Sequence, residues 1–320
     1  MITGQTCFAL TALLAGLVFS PLLSGVIFRV KARVAGRKGR PCLQLYYDLA
    51  KLMRKGLVLS DTATWFFPVG SAMVLASTLA ALLLIPTGGV PAVFRFEGDF
   101  FFVAGLFALG RFGMIVAALD TGSPFEGMGS AREALFSAMA EPIFLLCMAV
   151  LAFQLQTFTL SGIARNIEFI IWAANWPFFL LMSIAMFLLT LTENARIPVD
   201  DPTTHLELTM IHEAMILDHS GPELAFMEYA ASLKLWAFGL LVSALALPFG
   251  GNGVFSPEGA VEDLSGAFLA FGGTLAGVFG MALLIGLIES ILARLRLERI
   301  PLILSLATAF TALAGLTAWR

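Results

Sequence analysis

The residues able to do chemistry are concentrated in one stretch of the chain, from Glu193 to Glu228. It opens Glu193-Asn194-Ala195-Arg196-Ile197-Pro198-Val199-Asp200-Asp201-Pro202 and continues through Glu207, Glu213, Asp218, Glu223 and Glu228. Every histidine of the chain, His205, His212 and His219, lies in it. Carboxylates and imidazoles at this density could pass protons, hold a cation or a metal, meet a quinone, or face a charged partner. The whole sequence is 59% apolar and 13% charged, against roughly 45–50% and 25% in soluble domains. Ionisable groups in so apolar a chain are costly and are kept for function.

The spacing sorts these chemistries. The histidines fall seven apart and share a face if their helix is continuous. Successive rings would then be ~10 Å apart along the axis, too far to share one ion. They read as a proton-buffering or partner-facing edge, and no metal site is expected. Asp200-Asp201 could hold magnesium pyrophosphate, as in a membrane prenyltransferase. Such a site needs a second acidic motif and basic phosphate ligands, and the sequence has neither. Cys7, Cys42 and Cys147 are scattered, with no CxxC and no iron–sulfur spacing. No residue is assigned a catalytic role. Glu193, Arg196 and Asp200 come directly after an apolar run. Ile197-Pro198 favours an extended turn that folds the segment back, with Arg196 paired between its two flanking carboxylates. Asp201 before Pro202 reads as a helix N-cap, and Thr204 to Glu207 as a capping box. Leu206, Met210, Ala214 and Leu217 then recur at helical spacing, as in a short amphipathic helix lying against a bundle.

Other ionisable residues stand within apolar runs. Glu141, followed by Pro142, reads as a proton-relay carboxylate in a loosened helix. Glu228 and Lys234 are six apart and do not share a face. Arg111 is expected to snorkel or to pair with Asp120 or Glu141. Glu289 with Arg294 and Arg296 reads as an interfacial anchor of its helix.

The elements that position these groups are apolar runs of ~20 residues, the length that crosses a bilayer. Eight are expected, at about 7–28, 64–86, 100–119, 134–157, 167–191, 224–248, 264–291 and 300–319. The runs are continuous rather than alternating, so the fold class is all-α, a polytopic membrane bundle in one domain over 1–320. The first run has no small-residue cleavage site and reads as a span. A basic loop over 29–63 carries Arg29, Lys31, Arg33, Arg37, Lys38, Arg40, Lys51, Arg54 and Lys55. Arg132, Arg196, Arg294, Arg296 and Arg299 fall on the same side, and Arg95, Arg165 and Arg320 on the other. By the positive-inside rule the basic loop and the acidic loop over 192–223 are cytoplasmic, and both termini lie outside. An independent ion-coupled transporter would show paired broken helices at matching positions. The sequence does not show them.

Four ordered motifs carry a resemblance to a known family. Glu193, Arg196, Pro198, Asp200, Pro202, Glu207 and Leu208, with Ser220-Gly221 after them, resemble the acidic loop of subunit 1 of respiratory NADH dehydrogenase, complex I. Arg37-Lys38-Gly39-Arg40-Pro41 through Asp48, Lys51 and Leu52 is similar to that family's first loop. Leu119-Asp120-Thr121-Gly122-Ser123-Pro124-Phe125, Ser130-Ala131-Arg132-Glu133, Glu141-Pro142 and Glu289 to Arg296 resemble one branch more closely. That branch is the membrane subunit of group 4 energy-converting nickel–iron hydrogenases, the formate hydrogenlyase subunit 4 type. The loop departs from the quinone-site pattern at Val199, at His205, and in the length of 208–220.

The resemblance implies a non-catalytic subunit with eight helices in a bacterial or archaeal cytoplasmic membrane. Its implied partners are an iron–sulfur small subunit, a hydrogenase-like large subunit, antiporter-like membrane subunits and the bilayer, with no nucleic acid. Iron–sulfur clusters and a nickel–iron centre would belong to the partners. A quinone-site subunit of an NADH dehydrogenase is the alternative. Glu141, Glu193, Arg196, Asp200, Glu207, Glu213, Glu228 and Lys234 are the expected path for protons or sodium ions. Arg37, Lys38, Arg40, Asp48, Lys51, Asp120, Arg132, Arg294 and Arg296 are the expected docking residues.

Overall fold

The computed structural model describes residues 4–60, 62–200, 210–248 and 264–318. Among them there is no strand. The helices are α1 (Gly4–Val34), α2 (Gln44–Leu52), α3 (Phe66–Leu82), α4 (Asp99–Asp120), α5 (Pro124–Leu155), α6 (Leu160–Asn166), α7 (Phe169–Ala174), α8 (Trp176–Glu193), α9 (His212–Met215), α10 (Gly221–Ala246), α11 (Leu264–Ile291) and α12 (Ile300–Ala318). Seven are long and apolar enough to cross a membrane, and α3 is a shorter apolar helix. This agrees with about eight spans.

Two boundaries differ from the expected ones. The fourth span begins at Pro124, not near 134, because Pro124 takes the first helical position and Ser123 is extended. The fifth breaks into α7 and α8 at Asn175, where Pro177 starts a new helix. One end of the bundle is tied together by loop contacts. Ser220 Oγ accepts from Val58 N at 3.0 Å and donates to Val58 O at 2.9 Å. Asp120 accepts from Thr64 N at 2.7 Å. This end carries the basic loop and is called the basic face. At the opposite face Asp99 accepts from Leu160 N at 2.7 Å, and Trp172 donates to Leu245 O at 3.1 Å.

The centre of the bundle is α10. In its apolar window 72% of residues are buried, against 28–44% in the other spans. It packs on α1, α3, α8 and α11, with Trp236 and Phe238 fully enclosed. Such a helix shows no amphipathic stripe, because every side meets protein. α3 and α4 approach closely at Gly70, where an added Cβ would stand 2.6 Å from the Gly113 carbonyl oxygen. The outer helices keep large apolar side chains exposed, among them Leu14, Phe112, Leu269 and Leu302, as a lipid-facing surface requires.

Candidate functional site: a charged core beneath the basic face

The site exists because α8 is short. Its eighteen residues end at Glu193, whose carboxylate meets Lys234 Nζ at 2.8 Å and Arg111 Nη1 at 2.5 Å. Lys234 lies ~20 Å along α10 from Gly221, and Arg111 ~13 Å along α4 from Asp120, at 1.5 Å per residue. Glu193 is therefore held deep in the bundle. Arg111 also donates to Glu141 on α5, whose side chain is 38% exposed. Four helices thus contribute the chain Lys234–Glu193–Arg111–Glu141. Arg111, expected to pair with Asp120 or Glu141, takes Glu141 and adds Glu193.

Below Glu193 the chain re-enters the bundle as a buried loop. Ala195 takes a positive φ of 47°, and Val199 N and Asp200 N donate to Arg196 O at 2.8 and 3.2 Å, so the segment is a tight turn and not the expected extended one. Ile197, Val199 and Asp200 are buried. Asp200 accepts from Ile211 N at 3.0 Å and His212 N at 3.3 Å, and pairs with Arg294 at 3.1 Å. Leu295 N donates to Pro198 O at 3.0 Å. Arg196 was expected between Glu193 and Asp200. Both of those are taken by other cations, and Arg196 lies 3.8 Å from Glu289 instead.

Glu289 itself corrects an expectation. It is no interfacial anchor: its side chain is 0% exposed and binds Lys31 at 2.9 Å. The sequence signal for it was an acid within helical reach of a bundle of basic loops, and that signal does not distinguish a solvated helix end from a buried one.

Two cavities meet at the loop. The inner one, about 80 Å³, is lined by Arg111, Glu133, Glu193, Arg196, His212 and Lys234 among others. The outer one, about 390 Å³, is lined by Arg40, Asp48, Asp200, Glu213 and Glu228 together with apolar Phe28, Leu45 and Leu52. Asn194, Ala195, Arg196, His212 and Ala231 belong to both linings and form the wall the two cavities share. Glu228 faces the outer cavity and Lys234 the inner one, as their six-residue spacing implies.

The groups in the loop have altered acidities. Burial raises the Glu213 carboxyl to about 7; Glu228 and Asp200 add to this, and Arg196 opposes it. Burial, with the positive charges of Lys234 and Arg196, lowers His212 to about 4. Burial also lowers His219 to about 4, and its ring stacks on Phe67 with centroids 4.1 Å apart. The two imidazoles are neutral near pH 7, while Glu213 sits where a small field moves its proton.

Other expectations are redistributed. α9 is a single turn and the chain bends after it, so His212 and His219 do not share a continuous helix face. Of the amphipathic helix expected over 206–217, the described part is that turn. Asp201, His205 and Glu207 lie outside the described residues. Arg37, Lys38, Arg40, Lys51 and Arg296 are exposed at the basic face, and Asp48 is half-buried. Arg132 and Arg294, grouped with them by sequence, turn inward: Arg132 donates to Met210 O at 2.8 Å, and Arg294 holds Asp200. Asp120 is spent on Thr64. Glu133 and His212 were missed as site residues. Glu126, also missed, is buried and accepts from Asp218 N at 3.1 Å. The three cysteines are free and far apart in the sequence. Among the described residues no group of three or more His, Cys, Asp or Glu could hold a metal ion.

Comparison with known proteins agrees with this architecture. The family described as NADH dehydrogenase matches residues 7–318. Formate hydrogenlyase subunit 4 of Escherichia coli (strain K12) is 30% identical over 297 residues, covering 92% of each chain. Hydrogenase-4 component C of the same organism is 29% identical over 246 residues, covering 76% of each. Among solved structures, a chain of the membrane-bound sulfane sulfur reductase, an archaeal respiratory membrane complex, superposes with a TM-score of 0.80. It is 20% identical and covers 98% of this chain and 99% of that one, a likeness of fold.

Proposed function

This chain belongs to the NADH dehydrogenase family of membrane subunits, subunit 1 type, and from that premise we propose that it couples electron transfer in a docked peripheral arm to proton movement through its own charged core. It is an integral membrane subunit of the kind found in formate hydrogenlyase, hydrogenase-4 and complex I-like assemblies. The observation that carries the coupling reading is the adjacency of the site's parts. An acid-lined outer cavity shares the Arg196–His212 wall with an inner cavity, and on the far side of that inner cavity Arg111 reaches Glu141 on α5.

The electron carriers are assigned to partner subunits, an iron–sulfur small subunit and a hydrogenase-like large subunit seated on the basic face. The scattered cysteines of this chain do not fit a cluster. Antiporter-like membrane subunits would take up the movement alongside. The outer cavity has the size of a ligand pocket, yet Asp48, Asp200, Glu213 and Glu228 all line it. A quinone head group accepts hydrogen bonds, and walls with more carboxylates than guanidinium groups suit it poorly, so no step is routed through one. The basic face is placed in the cytoplasm and both termini outside, from the distribution of Lys and Arg.

The physical link is electrostatic. A unit charge arriving ~10 Å from Glu213 shifts its proton affinity by roughly one pKa unit at an effective dielectric near 20. A carboxyl at about 7 then changes its protonation in step with each electron. A group several units away would not.

The test is made on the intact complex in vesicles. With Glu193→Gln or Asp200→Asn, protons moved per electron should fall several-fold while the peripheral subunits still copurify in mild detergent. Normal proton yield in both variants would show the coupling reading to be wrong. A chain that purifies without any iron–sulfur partner would sink the docking reading.

A further inference from the structure

A residue that relays protons must change its protonation without losing the contacts that place it. Glu193 fails this requirement. Lys234 at 2.8 Å and Arg111 at 2.5 Å hold its carboxylate. Protonating it would leave buried Lys234 without its anion and Arg111 with Glu141 alone. Glu141 is likewise committed to Arg111. Glu133, on α5, differs from both. It lines the inner cavity, and among the described residues it has no ion pair and no hydrogen bond. Around it stand Lys234 of α10, Arg111 of α4, Glu193 of α8 and Asp200 of the re-entrant loop, with Arg196 and His212 on the same cavity wall.

We propose that Glu133 is the proton-accepting carboxylate of the inner cavity, and that Glu193 is a fixed counter-charge which stays ionised throughout. This rests on the coupling reading above and names the group and the ion that serve it. The step is Glu133 carboxylate plus hydronium giving the carboxylic acid plus water; only O–H bonds change. The proton is handed from the outer cavity across the wall that Arg196 and His212 share with it. The cavity wall contains both partners the step needs. Arg111 and Lys234 stabilise the ionised form, while the unpaired carboxylate can turn and accept.

The same geometry names a proton and not a metal cation. A hard cation takes about six oxygen ligands. The carboxylates lining the inner cavity are Glu133 and Glu193, and Glu193 is already bound by two cations. A proton needs one free oxygen and a file of water.

Infrared difference spectroscopy on the intact complex, between oxidised and reduced states, tests this. Beside the Glu213 band, which Glu213→Gln removes, the wild type should show a second carboxylic acid C=O band that shifts in deuterated water, and the variants below are read on this second band. Glu133→Gln should remove the band and lower proton movement at least tenfold. Glu133→Asp should restore part of both with a displaced band, which also serves if the Gln variant does not assemble. Glu193→Gln should leave the band in place. The band should follow pH and be indifferent to sodium. A band that survives in Glu133→Gln, disappears in Glu193→Gln or tracks sodium overturns the proposal. Loss of coupling in Glu193→Gln with normal proton movement in Glu133→Gln defeats this inference and leaves the coupling reading standing. Normal coupling in both defeats the coupling reading itself.

Discussion

Lys234 Nζ stands 2.8 Å from Glu193, joining the central helix α10 to the last residue of the short helix α8. Both side chains are largely buried, 16% and 5% exposed. The pair closes a circuit that Arg111 continues to Glu141. α8 stops at this depth because its final carboxylate finds two cations there, and the polar backbone that follows is satisfied by Arg196 N donating to Leu191 O, Val199 N and Asp200 N to Arg196 O, and Leu295 N to Pro198 O.

Removing one member of this pair should cost more than removing both. Lys234→Met leaves Glu193 with Arg111 shared against Glu141, an excess of buried negative charge worth about 3–5 kcal/mol. The double variant Lys234→Met with Glu193→Gln removes both charges and should recover most of that loss. Thermal unfolding of the purified complex, compared in a double-mutant cycle, measures the coupling. Additive losses would mean the pair is solvated and carries no such strain.

Glu213 sets a pH dependence with a defined sign. Its carboxyl is raised from an ordinary 4.5 to about 7 by burial, with Glu228 and Asp200 adding and Arg196 opposing. The native state therefore binds the extra proton between these values, and stability falls as pH rises from about 4.5 to 7, then levels. His212 and His219, lowered to about 4, act oppositely: their contribution is complete above about 6.5 and is lost as pH falls toward 4. Glu213→Gln should remove the falling limb, up to about 3 kcal/mol, so the variant gains stability relative to wild type as pH rises from 5 to 7.5. Unfolding midpoints over that range, parallel in the two proteins, would contradict the assignment.

The spans were legible because long apolar runs obey bilayer length, and the acidic strip because charge is rare elsewhere. The pairings were not. Arg196 beside Glu193 and Asp200 in sequence suggests a local ion pair, yet Glu193 found Lys234 and Arg111, and Asp200 found Arg294. Each partner lies dozens of residues away, and a sequence without its fold carries no signal for which distant cation arrives. Glu133 was hidden for the same reason. It reads as one more charge at a helix start until α4, α8 and α10 close around it. Glu289 shows the limit from the other side, since its neighbours Arg294 and Arg296 mimic a solvated helix end while its true partner is Lys31 on α1.

Asp200 holds the re-entrant loop to its return segment through two amides, Ile211 N at 3.0 Å and His212 N at 3.3 Å, and through Arg294 at 3.1 Å. Asp200→Asn keeps a weaker acceptor but discards the charge that Arg294 neutralises. Asp200→Ala discards both and leaves two amides without an acceptor in a buried setting. Each buried amide left unsatisfied costs about 1–3 kcal/mol, so hydrogen exchange at Ile211 and His212 should accelerate roughly 5- to 100-fold in Asp200→Ala, and less in Asp200→Asn. The effect should stay within the loop. Amides of α3 and α4, which pack on each other, should exchange as in the wild type. Exchange mass spectrometry on peptides spanning 210–216 reads this directly, with peptides from α4 as the internal control. Unchanged rates at Ile211 and His212 would mean that Asp200 does not hold them, and uniform acceleration across α4 as well would mean that the residue supports the whole bundle rather than its loop.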